Sequence, residues 1–333
     1  MSVCAQLLPD GRRLHLQHGP IDLVIEAFGA QAAIDDAYRR AVARFPNILP
    51  ELVAELAILR KSLPPLPSGE GRGEGKPCEA DGAGSSAQRF PSPARSRAPP
   101  SPDGRGDCYP DLRGPVARRM VAACWPHHAA FITPMAAVAG AVADEMLGVL
   151  VAAGDLARAY VNNGGDIALH LAPGERLTAG LVADVADPTL HGTIALDGAL
   201  TVRGLATSGW RGRSFSRGIA DAVTVLARSA AEADAAATMI ANAVDIDHPA
   251  VRRAPASSLR DDSDLGDLLV TVEVGALPPA ARAAALANGT REAARLVARE
   301  LIHGAVLVLQ GHTVVVPDGL AALTHDSLRE SAA

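Results

Sequence analysis

Two stretches of this chain carry the residue types that a nucleotide site needs. The first is Val161-Asn162-Asn163-Gly164-Gly165-Asp166-Ile167. The second opens at Ala206-Thr207-Ser208-Gly209 and continues to Ser229-Ala230-Ala231-Glu232-Ala233-Asp234-Ala235-Ala236-Ala237-Thr238. A glycine pair lets backbone come close to a phosphate. Hydroxyls and amides at a strand end can form an anion nest. Asp234 and Thr238 stand one helical turn apart, so they share a helix face. Both present hard oxygens, which suit Mg²⁺ rather than zinc. Together the two stretches point to a diphosphate and a divalent cation.

Each piece also has an ordinary structural explanation. Asn163-Gly164-Gly165-Asp166 fits a hairpin turn between two strands. Thr207-Ser208-Gly209 fits a hydroxyl turn. Asp234 fits a surface position on an alanine-rich helix. Asp166, which a plain turn does not need, and the coincidence of both stretches favour the site. Arg211 and Arg213, with Ser214 and Ser216, fit a phosphate contact or a solvated loop equally well. The adjacent pair His127-His128 diverges on any regular element, so joint chelation is not expected, and it reads as structural or surface. His303 reads as a favourable charge at a helix C-terminus. Asn288-Gly289-Thr290 matches a glycosylation sequon that a cytoplasmic chain would not use. There is no Ser-His-Asp order, no GxSxG elbow and no GxxxxGK[ST] loop.

The elements that must position these residues follow from periodicity and punctuation. Arg13–Gln17 and Ile21–Glu26 alternate around His18-Gly19-Pro20 and predict a hairpin. Helices are expected over Ala30–Phe45 and Leu49–Leu63. Thr133 and Pro134 read as the cap and first residue of a long helix ended by Gly154. Its body of small residues would let another backbone or a ligand come close. Strands are expected over Ala159–Asn162, Ile167–Leu171, Leu177–Val185, Gly192–Leu196 and Leu200–Ala206. Ser229 with Glu232 predicts a capping box. A strand over Leu268–Val274, a helix over Pro279–His303 and a closing hairpin over Ala305–Val316 complete the chain. Strands cluster without regular βαβ alternation. The expected class is α+β with a largely antiparallel sheet.

Between Leu63 and Leu112 the composition turns to Pro, Gly and Ser. Such a stretch buries too little apolar surface to offset its ordering entropy. Residues 63–112 are therefore expected to be a disordered insertion and 326–333 a flexible tail. Residues 1–62 and 113–325 would form a single domain. The net charge of −6 gathers no cationic face, which argues against a nucleic-acid partner. Aromatics are 3% of the chain, so Ala, Val and Leu must do the packing. The 4 cysteines show no CxxC spacing and read as free thiols in a reducing compartment. The start of the chain has no signal-peptide pattern, and the apolar run Ala129–Ala143 is too short to span a bilayer, which takes about 20 residues. The expected setting is cytoplasmic, with no membrane contact.

In sequence order these motifs resemble the ApbE-like superfamily, best known for Mg²⁺-dependent FAD:protein FMN transferases. The residues that carry the likeness are Asn163-Gly164-Gly165-Asp166-Ile167, Ala206-Thr207-Ser208-Gly209, Val223-Thr224-Val225, and Asp234 with Thr238. The pattern is closer still to a cytoplasmic branch, uncharacterised protein family 0280. There Thr133-Pro134-Met135-Ala136-Ala137-Val138-Ala139-Gly140 and Ser216-x-Gly218-x-Ala220-Asp221-Ala222 join the match. The resemblance implies a T-fold-like α+β architecture and an FAD-type ligand. Asn163, Gly164, Gly165, Asp166, Thr207, Ser208 and Gly209 would bind it, and Asp234 and Thr238 would hold Mg²⁺. The transferases carry a His-x-x-Asp-Pro-x-Thr-Gly stretch before the Val-Thr-Val strand. Here that interval, Trp210 to Ala222, has no histidine and no Asp-Pro, which leaves Asp221 as the candidate catalytic group. Three readings stay open: Mg²⁺-dependent diphosphate cleavage or FMN transfer, a non-catalytic flavin binder, and a pterin or purine enzyme of the T-fold type.

Overall fold

The structure, a computed structural model, describes residues 3–63, 112–184, 187–318 and 323–324. In chain order its elements are β1 (Cys4–Leu7), β2 (Leu14–His18), β3 (Ile21–Gly29), α1 (Gln31–Leu59), α2 (Pro115–Cys124), α3 (Val138–Val151), β4 (Leu156–Asn163) and β5 (Asp166–Leu171). Then come β6 (Arg176–Asp184), β7 (Asp187–Asp197), β8 (Gly204–Ser208), β9 (Ala222–Ala227), α4 (Ala230–Ala243), β10 (Val251–Pro255) and α5 (Ala256–Leu259). The chain closes with β11 (Leu269–Val274), α6 (Pro279–Ala298), β12 (Gly304–Leu309), β13 (His312–Val316) and β14 (Leu323–Thr324).

Nine strands form one sheet in the order β1-β2-β3-β4-β5-β8-β9-β12-β13. Every neighbouring pair in it is antiparallel. The expected α+β class is therefore the one observed. Strand β3 alternates buried and half-buried residues, as a strand with one covered face must. Strands β9 and β12 are buried at every position. Helices cover one of their faces, where Val223, Val225, Ala305 and Leu307 meet Ile240, Ala285 and Leu296. On the other face Leu226 and Val306 meet Ile194 and Leu196 of β7. The small sheet β14-β7-β6 thus forms a third layer.

The two helices expected before Leu63 are one helix, α1, with Pro46 and Pro50 inside it. Each interior proline costs about 3 kcal/mol. Phe45, Ile48, Leu52 and Leu59 are buried along the same helix. Each returns about 1.5–3 kcal/mol, which offsets the prolines. Helix α2 was not expected. Its signal is Gly114-Pro115, with proline at the first helical position, followed by buried Val116, Ala117 and Met120. Residues 134–137 are a 3₁₀ turn rather than the first turn of α3, and Thr133 makes no cap. Its hydroxyl donates to the Asp264 carboxylate instead. Helix α6 stops at Ala298, short of His303, and Glu300 just beyond it takes a φ of 56°. His303 lies past the helix, bonded through its amide to Leu226.

Residues 64–111 and 325–333 lie outside the described residues, so the expected insertion and tail do too. The flanks at Leu63 and Leu112 are both buried in the core, and the Leu63 amide donates to the Ile132 carbonyl at 2.9 Å. Among the described residues, Cys4 and Cys124 are free thiols, as expected. The apolar stretch is longer than the sequence reading allowed. Pro134–Val151 is long and apolar enough to cross a membrane by length and composition. Its Ala141, Val142, Met146 and Leu150 are buried in the protein core.

Helices α3 and α4 meet at their N-termini, as the small residues on α3 predict. A Cβ on Gly140 would stand 2.2 Å from the Ala230 carbonyl oxygen. The two helices also exchange caps. Asp144 of α3 accepts from the Ala230 and Ala231 amides of α4 at 3.0 and 2.9 Å. Asp234 of α4 accepts from the Gly140 amide of α3 at 3.0 Å. Each carboxylate satisfies orphan donors of the other helix and lies in its N-terminal dipole. Ser229 caps α4, accepting from the Glu232 amide at 3.2 Å, but the return half of the expected capping box is missing: Glu232 Oε2 is buried without a partner.

Candidate functional site

The two stretches named from sequence meet at one end of the nine-stranded sheet. The β4–β5 turn, the β8–β9 loop and the β12–β13 turn are neighbours there by strand order. Asn163 pairs with Asp166 across the Gly164-Gly165 turn. The glycines take φ values of 66° and 112°, which side-chain-bearing residues rarely adopt. The hairpin turn expected as the bland reading is real, and it coexists with a polar floor. The Asn163 side-chain amide donates to the Ala139 carbonyl at 3.0 Å, tying the turn to the start of α3. The Gly165 amide donates to Asn162 Oδ1 at 2.8 Å, so only one glycine amide of the pair remains for a ligand.

Asp166 is buried beneath the turn and accepts from the Thr207 amide at 3.2 Å. Burial pushes its carboxyl up to about 7. Asp234 is raised too, first by burial and then by the charge of Asp166. The fold therefore holds two carboxyls from separate elements within electrostatic reach of each other. Thr238 sits on the next turn of α4, half-buried. Asp144 is pushed up to about 6 by burial, against the two amides it caps. Among the described residues, no group of three or more His, Cys, Asp or Glu gathers around a metal-sized space.

The Thr207 and Thr224 hydroxyls share a hydrogen bond of 2.8 Å between β8 and β9. Gly209 is obligatory: a Cβ there would stand 2.3 Å from the Asp221 carbonyl oxygen. Ser208 is half-buried beside it. The side chain of Asp221 receives Trp210 Nε1 at 3.2 Å, Arg211 Nε at 3.1 Å and the Gln310 amide. Those donors tie the β8–β9 loop to the β12–β13 turn. The loop's other free end, Arg213, reaches the glycine turn. A side chain on Gly164 would begin 3.0 Å from Arg213 Nη1.

Sequence reasoning missed Asp144 and the Ala139-Gly140 backbone. Their signal is an acid four residues after Gly140 on a helix of small residues. The histidines behave as structural groups. His127 is buried and pushed down to about 4 by that burial, and His128 stacks on Trp125 at 4.8 Å. The sequon asparagine, Asn288, lies within α6 and donates to the Asp245 carbonyl at 2.7 Å.

The helix-backed antiparallel sheet thus carries a buried acid, Asp166, under a glycine turn at one end. A family model described as AbpE bacteria matches residues 5–76 and 100–315, and the chain belongs to that family. A UPF0280 protein of Methanothrix thermoacetophila is 36% identical over 178 residues, covering 52% of this chain and 71% of that protein. Another, of Methanopyrus kandleri, is 40% identical over 141 residues, covering 41% of this chain and 54% of its own length. The chain thus spans between about half and seven tenths of the length of these relatives. A solved ApbE protein from Thermotoga maritima is 21% identical over 43% of this chain and 48% of that one, with a TM-score of 0.29, too slight a likeness to build on.

The raised acids predict a pH dependence. An acid whose folded pKa lies above its unfolded value of 3.8 favours the folded state only while it is protonated. As pH rises from about 4 to about 7, the unfolded chain ionises first and stability falls; above that window the loss is constant. Metal-free protein should therefore lose on the order of a few kcal/mol across this window through Asp166. Asp10 and Asp36, whose pKa values are lowered, act in the opposite sense in both proteins and cancel in the comparison. Melting curves of wild type and Asp166→Asn between pH 4 and 8 check this. Parallel curves would contradict a buried, raised Asp166 carboxyl.

Proposed function

We propose that the sheet end binds a flavin dinucleotide, FAD, through its diphosphate, with Mg²⁺ held at Asp234 and Thr238. The observation that carries this reading is that Asp166 and Asp234, from separate elements, feel each other's charge, with Thr238 one helical turn after Asp234. Two carboxyls in one protein-enclosed place repel when ionised. A divalent cation turns that conflict into attraction. Mg²⁺ is commonly held by one or two carboxylates together with substrate phosphates, so a full protein cage is not needed. The donor set fits that habit.

In this reading Asp234 stays bonded to the Gly140 amide, with the Ala139 amide also donating toward its carboxyl, and offers its remaining lone pairs to the cation. Thr207, Ser208 and the free glycine amide of the turn face the phosphates. Gly209 keeps the loop backbone close to that position. Asn163 holds the start of α3 in register with the turn. Asp166 is close enough for its charge to act on Asp234, so we assign it to the surroundings of the cation. Mg²⁺, when bound, would neutralise diphosphate oxygens and steady a leaving group. Asp221 is held by three donors and serves as the post that fixes the β8–β9 loop.

Binding determinants are thus more complete than transfer determinants. The protein is expected to bind FAD with Mg²⁺ in a cytoplasmic setting, with neither nucleic acid nor membrane as partner. It should transfer FMN poorly to an acceptor threonine. Calorimetry with FAD, with and without Mg²⁺, tests binding. Mass spectrometry after incubation with FAD, Mg²⁺ and an acceptor domain tests transfer. Stoichiometric FMN attachment at a transferase-like rate would refute the second half. Absence of FAD binding would refute the flavin reading and favour a pterin or purine ligand.

A further inference from the structure

We infer that Arg213 closes an anion seat over the Gly164-Gly165 turn and takes a non-bridging oxygen of the ligand's diphosphate. The seat's identity as a diphosphate site rests on the proposed function above. Three observations converge on Arg213. Its Nη1 lies 3.0 Å from where a Gly164 side chain would start, so the guanidinium rests on the turn itself. The turn has lost half of its own anion-binding capacity, because Asn162 occupies the Gly165 amide. The loop also treats Arg211 and Arg213 differently. Arg211 pairs with Asp221 at 3.1 Å and lies 5.1 Å over the Trp210 ring, holding the loop together. Arg213 makes no ion pair or hydrogen bond to any described residue.

The local acids do not compete for it. Asp166 is buried and turned to the Thr207 amide, and Asp221 is filled by its three donors. A guanidinium offers a planar fork of donors that matches phosphate oxygens. Placed over a glycine turn, it supplies the charge that the remaining backbone amide lacks. Glycine at position 164 then has two reasons: a φ of 66° and room for the guanidinium. Arg213 is a binding residue in this proposal, with no part in bond breaking.

Inorganic pyrophosphate with Mg²⁺ is the direct probe, read by calorimetry and by thermal shift on the full chain. Arg213→Gln should weaken pyrophosphate binding about tenfold or more, the loss expected for one charge-assisted hydrogen bond. Arg217→Gln makes the same charge change on the same loop. Arg217 bonds through its backbone amide to Asn242, away from the turn. That variant should bind pyrophosphate like wild type. Equal weakening in both variants would show a diffuse field and overturn the seat. Unchanged affinity in Arg213→Gln, or no pyrophosphate binding by wild type, would also overturn it. FAD is titrated in parallel. Pyrophosphate binding through Arg213 without FAD binding keeps the seat and removes the flavin reading. FAD binding that ignores Arg213→Gln keeps the flavin reading and removes the seat.

Discussion

Gly140→Ala should lower the melting temperature by about 10 °C, while Gly148→Ala on the same helix should leave it unchanged or raise it slightly. The added methyl at Gly140 would lie 2.2 Å from the Ala230 carbonyl oxygen, 2.5 Å from its carbon and 2.7 Å from the Ala231 nitrogen. All three are backbone atoms, so no side chain can rotate away. Helices α3 and α4 would have to separate at their N-termini. Separation also stretches the reciprocal caps, Asp144 to Ala230 and Ala231, and Asp234 to Gly140. Overpacking alone costs about 1–3 kcal/mol, and a weakened cap about 1 kcal/mol more. At about 2–4 °C per kcal/mol for a domain of this size, a loss of about 3 kcal/mol gives the stated shift. A Cβ on Gly148 meets nothing within 4 Å. There alanine gains about 0.5–1 kcal/mol from helix propensity. Thermal melts of both variants check the pair. Equal melting temperatures would mean that the α3–α4 junction is looser than its geometry.

Asp234→Asn should abolish most of the Mg²⁺-dependent stabilisation seen with FAD and leave the metal-free fold intact. Asparagine keeps the volume and an oxygen that can accept from the Gly140 amide. It also removes a charge that burial and Asp166 both disfavour. Metal-free stability at neutral pH should therefore hold or rise. The cation loses its charged ligand, and its affinity should fall by about 100-fold or more, the upper range for disturbing even the groups behind a metal's ligands. Thermal shift across a Mg²⁺ titration at fixed FAD reads both effects. Equal Mg²⁺ stabilisation in the two proteins would refute the assignment to Asp234. A variant that melts far lower without metal would mean that the carboxylate is chiefly a helix cap.

How much of this was legible before the fold can be traced residue by residue. The hairpins β2–β3 and β12–β13 were legible because alternation and turn residues are local. So was the Ser229 cap, since its partner amide is three residues away. The unity of α1 was not legible: Pro46 and Pro50 are local breakers, and only burial of Phe45 and Ile48 in the assembled core outweighs them. The role of Thr133 was hidden for the same reason, because its partner Asp264 lies far along the chain.

For the site, the sequence by itself determined which groups are available: a glycine pair that takes positive φ, hydroxyls at a strand end, and an acid with a threonine one turn later. Those follow from residue type and short spacing, and they fall within the residues that the family model matches. Only the tertiary structure decided which of them meet. Antiparallel pairing brings β5, β8 and β9 side by side, so Asp166 lies under Thr207. The Gly140 contact draws α4 against α3 and brings Asp234 within reach of the charge of Asp166. It also decided what is already spent: Asn162 takes the Gly165 amide, and Asp221 is filled by Trp210, Arg211 and Gln310. Such choices depend on long-range packing, where a hydrogen bond forms only if distant elements bring donor and acceptor within about 3 Å.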